Sequence, residues 1–316
     1  MAMVRPSRLL LNVGRTIHEG LWQGHGTRGL ASGVGSQGRG PPIGSKPAVE
    51  GVQSIIAVAS GKGGVGKSTT AVNLAVALAV ECRLRVGLLD ADVYGPSIPS
   101  LMKLQGRPQL DSASRMIPME NYGVKCMSMG FLMEKDAPAV WRGPMVMSAL
   151  EKLVRGVSWG KLDVMVVDMP PGTGDAQISI SQRLPLAGAV IVSTPQDIAL
   201  IDARRGANMF RKVDVPILGL IENMSFFKCP KCGERCDVFG HGGAQTTAQE
   251  MDMEFLGEVP LNIAIRETSD AGSPIVAASP SSEVAMVYKA IAVQLAAKLQ
   301  DWTSSGAGAG PKITIR

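Results

Sequence analysis

Aromatic residues make up only 4% of this 316-residue chain, and cysteine occurs five times. So few aromatic side chains argue against a nucleic-acid surface built on base stacking. Five cysteines in a chain of this length do not form a disulfide scaffold. The sequence also lacks any stretch of 18 or more apolar residues, so no membrane span is expected. Apolar residues still account for 45% of the chain, which is enough to bury a substantial core.

The positive charge is concentrated at the start of the chain. The net charge is +5, yet residues 1–50 hold six basic residues against two glutamates, which leaves only +1 for the rest. An Arg-rich, acid-poor, amphipathic start followed by a Gly-, Ser- and Pro-rich stretch is typical of an organellar transit peptide and linker. The mitochondrial matrix is the first choice of compartment and a plastid the second, with a basic tail on a cytosolic protein as the alternative.

From residue 51 onward, apolar runs alternate with helical patterns. This order predicts one α/β domain over residues 51–302, a doubly wound and mainly parallel sheet with helices on both faces. Strands are predicted at 53–59, 84–89, 162–167, 188–193, 216–221 and 254–259. Helices are predicted at 68–81, 145–156, 197–212, 243–251 and 283–299. Residues 102–140 are less regular and suggest a peripheral hairpin, and the Gly-rich residues 303–316 suggest a disordered tail.

A glycine-rich loop lies between the first predicted strand and the first predicted helix. It consists of the consecutive residues Gly61, Lys62, Gly63, Gly64, Val65, Gly66, Lys67 and Ser68, and Thr69 follows. The pattern G-x-x-x-x-G-K-[ST] is that of a phosphate-binding P-loop, in which backbone N–H groups and a helix N-terminus surround the phosphates. Lys67 would then contact the terminal phosphates, and the Ser68 hydroxyl would ligate Mg²⁺.

Acidic residues and a glycine follow two other predicted strands. Asp90 and Asp92 follow the second strand, where one carboxylate could orient a water molecule and the other could hold the outer shell of a metal. Asp168 ends the strand at 162–167, which is the Walker-B arrangement that holds Mg²⁺, usually through water. Gly172 could turn its N–H toward the γ-phosphate and so distinguish ATP from ADP.

These strings resemble the deviant P-loop ATPases, the MinD-like group of the SIMIBI class. The resemblance rests on Lys62 in the loop K-G-G-x-G-K-[ST]. The strings D-A-D-x-x-G-P-S-x-P from Asp90 and D-x-P-P-G-T-G-D from Asp168 are similar to the Mrp-type branch. This resemblance implies that Lys62 reaches the nucleotide of a partner subunit in an ATP-bridged homodimer. It also implies that Asp92 positions the attacking water and that the Asn223 side chain hydrogen-bonds the adenine base. The local sequence alone would equally fit a turn-forming Asn at this position.

A C-x-x-C-G sequence at Cys229 and Cys232 follows the segment that contains Asn223. Two thiolates at this spacing can face one metal centre. In Mrp-type proteins the corresponding pair, contributed by each of two subunits, binds one [4Fe–4S] cluster. The rival is zinc, because Cys236 and His241 complete a possible Cys₃His set within one chain. A bare thiol pair is the third possibility.

The resemblance implies an ATP-binding iron–sulfur scaffold or carrier. It would pass a [4Fe–4S] cluster to mitochondrial clients, respiratory complex I among them, with weak ATP hydrolysis that depends on Lys62, Lys67 and Asp92. The alternative is a MinD-like ATPase switch with a structural zinc site, although the tail at 303–316 lacks the apolar stripe of a membrane anchor. A metabolic P-loop kinase is a third hypothesis, without any sign of a lid.

Overall fold

A computed structural model describes residues 46–133 and 143–304. Within these residues nine strands form one sheet. The strands are β1 Val52–Ala59, β2 Val86–Asp90, β3 Met119–Asn121, β4 Val124–Ser128, β5 Leu162–Asp168, β6 Gly188–Ser193, β7 Ile217–Lys228, β8 Arg235–Cys236 and β9 Phe255–Leu261. The helices are α1 Lys67–Val80, α2 Ile98–Leu101, α3 Gly143–Arg155, α4 Asp175–Arg183, α5 Asp197–Lys212, α6 Gly243–Glu250, α7 Ile263–Asp270, α8 Ile275–Ala278 and α9 Glu283–Ser304.

The sheet is mainly parallel, as predicted. Its strand order is β3-β4-β2-β5-β1-β6-β7-β8, and β9 also pairs with β7. Only the β3–β4 and β7–β8 pairs are antiparallel among the described strands. Every residue of β2 and β6 is buried, because helices cover both faces of a parallel sheet. Each fully buried Val or Ile side chain in these strands contributes about 1.5–3 kcal/mol of hydrophobic stabilisation.

The six predicted strands and five predicted helices are all present, and the differences concern the less regular regions. Residues 102–140 do contain a hairpin, but its second strand, β4, is not peripheral, since it pairs in parallel with β2 inside the main sheet. α4 was not predicted because its polar sequence has little apolar periodicity. The strand predicted at 216–221 continues to Lys228 as β7, which moves Asn223 from beyond a strand end into the strand itself.

The folded body begins upstream of residue 51. Val49 is buried, and the guanidinium of Arg155 donates to the carbonyl oxygens of Pro47 and Ala48 at 2.9 and 2.8 Å. The Nζ of Lys46 donates to the carbonyl oxygen of Ser181 at 2.8 Å. Residues 46–50, which the prediction placed in the transit peptide and linker, therefore contact the folded body. Residues 1–45 of that predicted segment lie outside the described residues.

The C-terminal end also differs slightly from the prediction. Residues 303 and 304 continue α9, while residues 305–316 of the predicted tail lie outside the described residues. In the part of the chain that the structure describes, every helix is too short or too polar to cross a membrane.

Candidate functional site

Three neighbouring strands bring the predicted nucleotide-binding residues to one edge of the sheet. β2, β5 and β1 lie side by side in parallel, and the register places Asp90 opposite Asp168. The P-loop leaves the end of β1 at the same edge. Residues that stand about a hundred positions apart in the sequence therefore converge where parallel sheets bind their ligands.

The backbone of the P-loop requires glycine at specific positions. Gly64 and Gly66 both have a φ of +79°, a conformation that side chains with a Cβ rarely adopt. A Cβ on Gly66 would lie 2.1 Å from Nδ2 of Asn223, so this glycine also permits a close approach. A Cβ on Gly63 or Gly64 would meet no protein atom within 4 Å. The loop therefore surrounds open space with exposed backbone, which fits a phosphate chain.

Lys67 and Asp168 form a buried ion pair. Nζ of Lys67 lies 2.5 Å from Oδ1 of Asp168 and 3.1 Å from Oγ of Ser68, in the first turn of α1 together with Thr69. Burial raises the pKa of Asp168, and the Lys67 ammonium acts in the opposite direction. The second carboxylate oxygen, Oδ2, is buried without a hydrogen-bond partner among the described residues. An orphaned acceptor beside a lysine and a serine hydroxyl fits the ligand set of a Mg²⁺–nucleotide.

Asp90 holds the loop that follows β2. Its Oδ2 accepts hydrogen bonds from the backbone N–H of Ser97 and Ile98 at 3.1 and 3.2 Å and from the Ser128 hydroxyl at 2.9 Å. Burial, reinforced by the charge of Asp168, raises the pKa of Asp90 to about 7. The Asp90 carboxylate therefore mainly stabilises the backbone of the loop after β2. Binding the outer shell of a metal would be a secondary role for it.

Asp92 and Gly172 flank the same edge. Asp92 is only partly buried, and its Oδ1 accepts from the N–H of Gly95 at 3.2 Å. Gly172 has a φ of +96°, and its N–H donates to the carbonyl oxygen of Ser60 at 3.1 Å. The Gly172 N–H would have to leave Ser60 before it could contact a phosphate. Lys62, on the same loop, is half-buried, and its carbonyl oxygen accepts from the Ser60 hydroxyl.

Asn223 contacts the P-loop directly. Its Nδ2 donates to the carbonyl oxygen of Val65 at 2.8 Å, and the side chain is buried. The residue after it, Met224, has a φ of +55°, and the pairing of β7 with β9 shifts register between Asn223 and Phe227. Asn223 thus lies at an irregularity inside a long strand. The sequence suggested a strand end here because the apolar run stops at Ile221 and polar residues follow.

The cysteine pair lies at the tip of a hairpin formed by β7 and β8. The N–H of Cys229 donates to the carbonyl oxygen of Glu234, and the N–H of Gly233 donates to the carbonyl oxygen of Cys229, both at 2.9 Å. The backbone N–H groups of Cys232 and Lys231, with the Cys232 thiol, lower the pKa of Cys229. Cys229 is partly buried and Cys232 is exposed. A tight turn that favours a thiolate is suited to binding iron or another thiophilic metal.

The four possible zinc ligands are not brought together. Cys236 lies on β8 opposite Phe227 and is exposed. His241 is instead beside Arg235 and Asp237, at 3.3 and 3.5 Å from its Nδ1. Within the described ranges, no group of three or more His, Cys, Asp or Glu side chains is placed to hold a metal ion. This arrangement does not favour a Cys₃His zinc site within one chain.

A polar cluster beside this hairpin was not predicted from the sequence. Oγ of Ser225 lies 2.6 Å from Glu222 and 2.9 Å from Glu258, and the guanidinium of Arg235 donates to Glu258 at 2.9 and 3.1 Å. Glu258 lies on β9 and Arg235 on β8, so local patterns could not connect them. The one available signal was Glu222, a carboxylate that directly follows an apolar run.

Known proteins that are similar to this chain indicate its family. A family model described as ParA, NUBPL iron-transfer P-loop NTPase, matches residues 51–296. The Arabidopsis thaliana iron-sulfur protein required for NADH dehydrogenase, mitochondrial, is 63% identical over 80% of this chain and 81% of its own length. The iron-sulfur cluster transfer protein NUBPL of Mus musculus is 60% identical over 80% of this chain and 79% of its own length.

Solved structures agree with the fold. A nucleotide-binding protein of Archaeoglobus fulgidus in complex with ADP has a TM-score of 0.63 and 38% identity, over 71% of this chain and 88% of that one. The cell division ATPase MinD of Pyrococcus furiosus has a TM-score of 0.57 at 20% identity, over 77% of this chain and 98% of that one. The second likeness concerns the fold alone. Together with the family match, these relatives show that the chain belongs to the NUBPL iron-transfer family of P-loop NTPases.

Proposed function

We propose that this protein is an ATP-binding scaffold or carrier that assembles a [4Fe–4S] cluster and transfers it to client apoproteins. The observation that supports this most directly is the position of the cysteine turn. Cys229 lies at the end of the strand whose Asn223 contacts the P-loop, so one element links the metal-binding thiols to the nucleotide site. The cluster is cargo here, and the thiolates of Cys229 and Cys232 are its ligands.

The nucleotide side uses residues with distinct tasks. The amides of Gly61 to Gly66 would surround the phosphates, Lys67 would neutralise their charge, and Ser68 and Asp168 would hold Mg²⁺, Asp168 through water. When bound, Mg²⁺ would neutralise the charge on the phosphates. Asn223 would contact the adenine through the part of its amide that Val65 does not use. Asp92 is the candidate for orienting water in a slow hydrolysis that depends also on Lys62 and Lys67.

The proposal requires a homodimer. Each chain offers two cysteines at the turn, while a [4Fe–4S] cluster is usually held by four thiolates. A second copy would supply the other two, and Lys62, next to the open side of the P-loop, would contact the nucleotide of that copy. Cluster and ATP would then bridge the same pair of subunits.

The clients are proposed to be mitochondrial, with subunits of respiratory complex I among them. Two relatives support this. The Arabidopsis protein is named as required for NADH dehydrogenase, and the mouse protein as a cluster transfer protein. The Arg-rich residues 1–50 agree with import into the mitochondrial matrix.

Anaerobic reconstitution tests the proposal. Protein incubated with ferric iron, a thiol reductant and sulfide should form a dimer with about four iron atoms, and it should activate an apoprotein that requires a [4Fe–4S] cluster. A protein that instead binds one zinc ion per monomer, and donates no cluster, would favour the MinD-like switch with a structural zinc site.

A further inference from the structure

β7 carries residues of both sites. Asn223 contacts the P-loop through Val65, and a Cβ on Gly66 would lie 3.7 Å from the methyl carbon of Met224. Met224 has left-handed backbone geometry, and the pairing with β9 is irregular from here to Phe227. Cys229 follows only six residues after Asn223. Asn223 and Met224 thus connect the P-loop to a segment of β7 in which the ladder with β9 is locally disrupted, directly before the cysteine turn.

Ser225 connects this irregular segment to the neighbouring strand. Its Oγ lies 2.6 Å from Oε1 of Glu222 and 2.9 Å from Oε2 of Glu258. Glu222 is buried, and its second oxygen accepts from the N–H of Ala244 in α6. Ser225 cannot move without changing contacts to both carboxylates.

Arg235 continues the connection to the hairpin. Its two terminal nitrogens contact the carboxylate of Glu258 at 2.9 and 3.1 Å, and Nε donates to Asp237 at 2.9 Å. The guanidinium also lies 3.9 Å from the centroid of the Phe226 ring. A bidentate contact of this kind fixes the orientation of the guanidinium against the carboxylate as well as the distance between them. Arg235 pairs with Lys228 across the hairpin, so it holds the strand that leads into the cysteine turn.

We propose that Arg235 and Glu258 are positioning residues that couple nucleotide binding at the P-loop to the orientation of the Cys229–Cys232 turn. The route runs from Val65 through Asn223 and Ser225 to Glu258 and Arg235. It lies within one subunit, so it acts in addition to any closure of a dimer. This inference depends on the function proposed above, since it assigns a role to residues beside the same thiols.

Two Glu-to-Gln variants give a matched test. Glu258→Gln weakens the contact with Arg235 and keeps the shape of the side chain. Glu283→Gln weakens a separate ion pair of the hairpin, between Glu283 and Lys228 at 3.0 Å, which does not involve Ser225 or Arg235. Arg235→Lys also weakens the contact with Glu258, because lysine keeps the positive charge but cannot make the bidentate contact. Thermal unfolding confirms that each variant is folded.

The first measurement is amide hydrogen exchange over residues 229–236 in cluster-free full-length protein, with and without Mg²⁺–ATP. We expect ATP to change the exchange rates at least fivefold in the wild type and in Glu283→Gln. In Glu258→Gln and Arg235→Lys the change should fall below about twofold, with ATP still bound. A wild-type hairpin that does not respond to ATP, or a Glu258→Gln hairpin that responds as strongly as the wild type, overturns the inference.

The second measurement is the ratio of ATP dissociation constants between cluster-loaded and cluster-free protein. The ratio should differ from one by at least fivefold in the wild type and approach one in Glu258→Gln. Absence of any cluster uptake by the wild type would refute the proposed function. The hydrogen-exchange experiment would still show whether ATP binding is coupled to the Cys229–Cys232 turn. Normal uptake with an equal ratio in wild type and Glu258→Gln would refute the coupling alone.

Discussion

Nζ of Lys67 lies 2.5 Å from Oδ1 of Asp168, and both side chains are buried although 101 positions separate them in the sequence. The two groups that we assign to phosphate and to Mg²⁺ thus neutralise each other. Such a pair need not add much stability when it is compared with apolar side chains, but loss of one partner leaves a buried charge uncompensated.

A double-mutant cycle on this pair tests that relationship. We expect Lys67→Met to lower the free energy of unfolding by about 3 kcal/mol, because Asp168 then lacks its cation. Lys67→Met combined with Asp168→Asn should recover more than half of that loss, as measured by urea unfolding without nucleotide. If the double variant loses as much as the two single variants together, the residues are not energetically coupled.

The raised pKa of Asp90 predicts a pH dependence of stability. A carboxyl group whose pKa is higher in the folded than in the unfolded protein stabilises the fold most below its unfolded pKa, and this stability is lost as the pH rises through its folded pKa. For Asp90 the unfolded pKa is near 3.9 and the folded pKa is about 7. Asp90→Asn has no such titration. The free energy of unfolding of Asp90→Asn relative to wild type should therefore rise between about pH 4 and pH 7 and stay level above that.

The size of this effect follows from linkage, at ~1.4 kcal/mol for each unit by which the pKa is raised. Denaturant unfolding at several pH values, without nucleotide, measures it directly. Since Asn accepts fewer of the hydrogen bonds from Ser97 and Ile98, the variant can be less stable overall, and only the pH trend carries the test. A constant difference between the two proteins would contradict the raised pKa.

Two glycines of the P-loop should respond differently to alanine. A Cβ on Gly66 clashes with Asn223 at 2.1 Å and needs a strained φ, so Gly66→Ala should lower both stability and ATP affinity. A Cβ on Gly63 meets no protein atom within 4 Å. Gly63→Ala should keep a melting temperature within a few degrees of wild type and lose at least tenfold in ATP affinity, because we assign the open space beside this residue to the phosphate chain.

Thermal unfolding and nucleotide titration separate these outcomes. A Gly63→Ala protein that binds ATP as tightly as wild type would show that the phosphates lie elsewhere. If Gly66→Ala is as stable as wild type, the close approach of Asn223 is not needed for the fold.

The sequence predicted the sheet because its central strands are continuous apolar runs. Lys67 was predicted as a site residue from the glycine-rich loop between a strand and a helix, and Asp168 from the apolar run that it ends. Their contact with each other was not predicted. β4 was harder to recognise, since Val124–Ser128 is short and mixes a lysine and a serine with apolar residues. The contact of Arg235 with Glu258 depends on the pairing of β7 with both β8 and β9, which no local pattern contains.

The central claim is that two subunits share one cluster through Cys229 and Cys232. Mixed dimers test it most directly. A wild-type subunit and a Cys229→Ser/Cys232→Ser subunit, carrying different affinity tags, are purified together and reconstituted anaerobically with iron and sulfide. The account predicts almost no cluster in the mixed dimer and about four iron atoms in the wild-type dimer. Mixed dimers that retain about half of the wild-type metal would show that each chain binds its metal alone, and would contradict the claim.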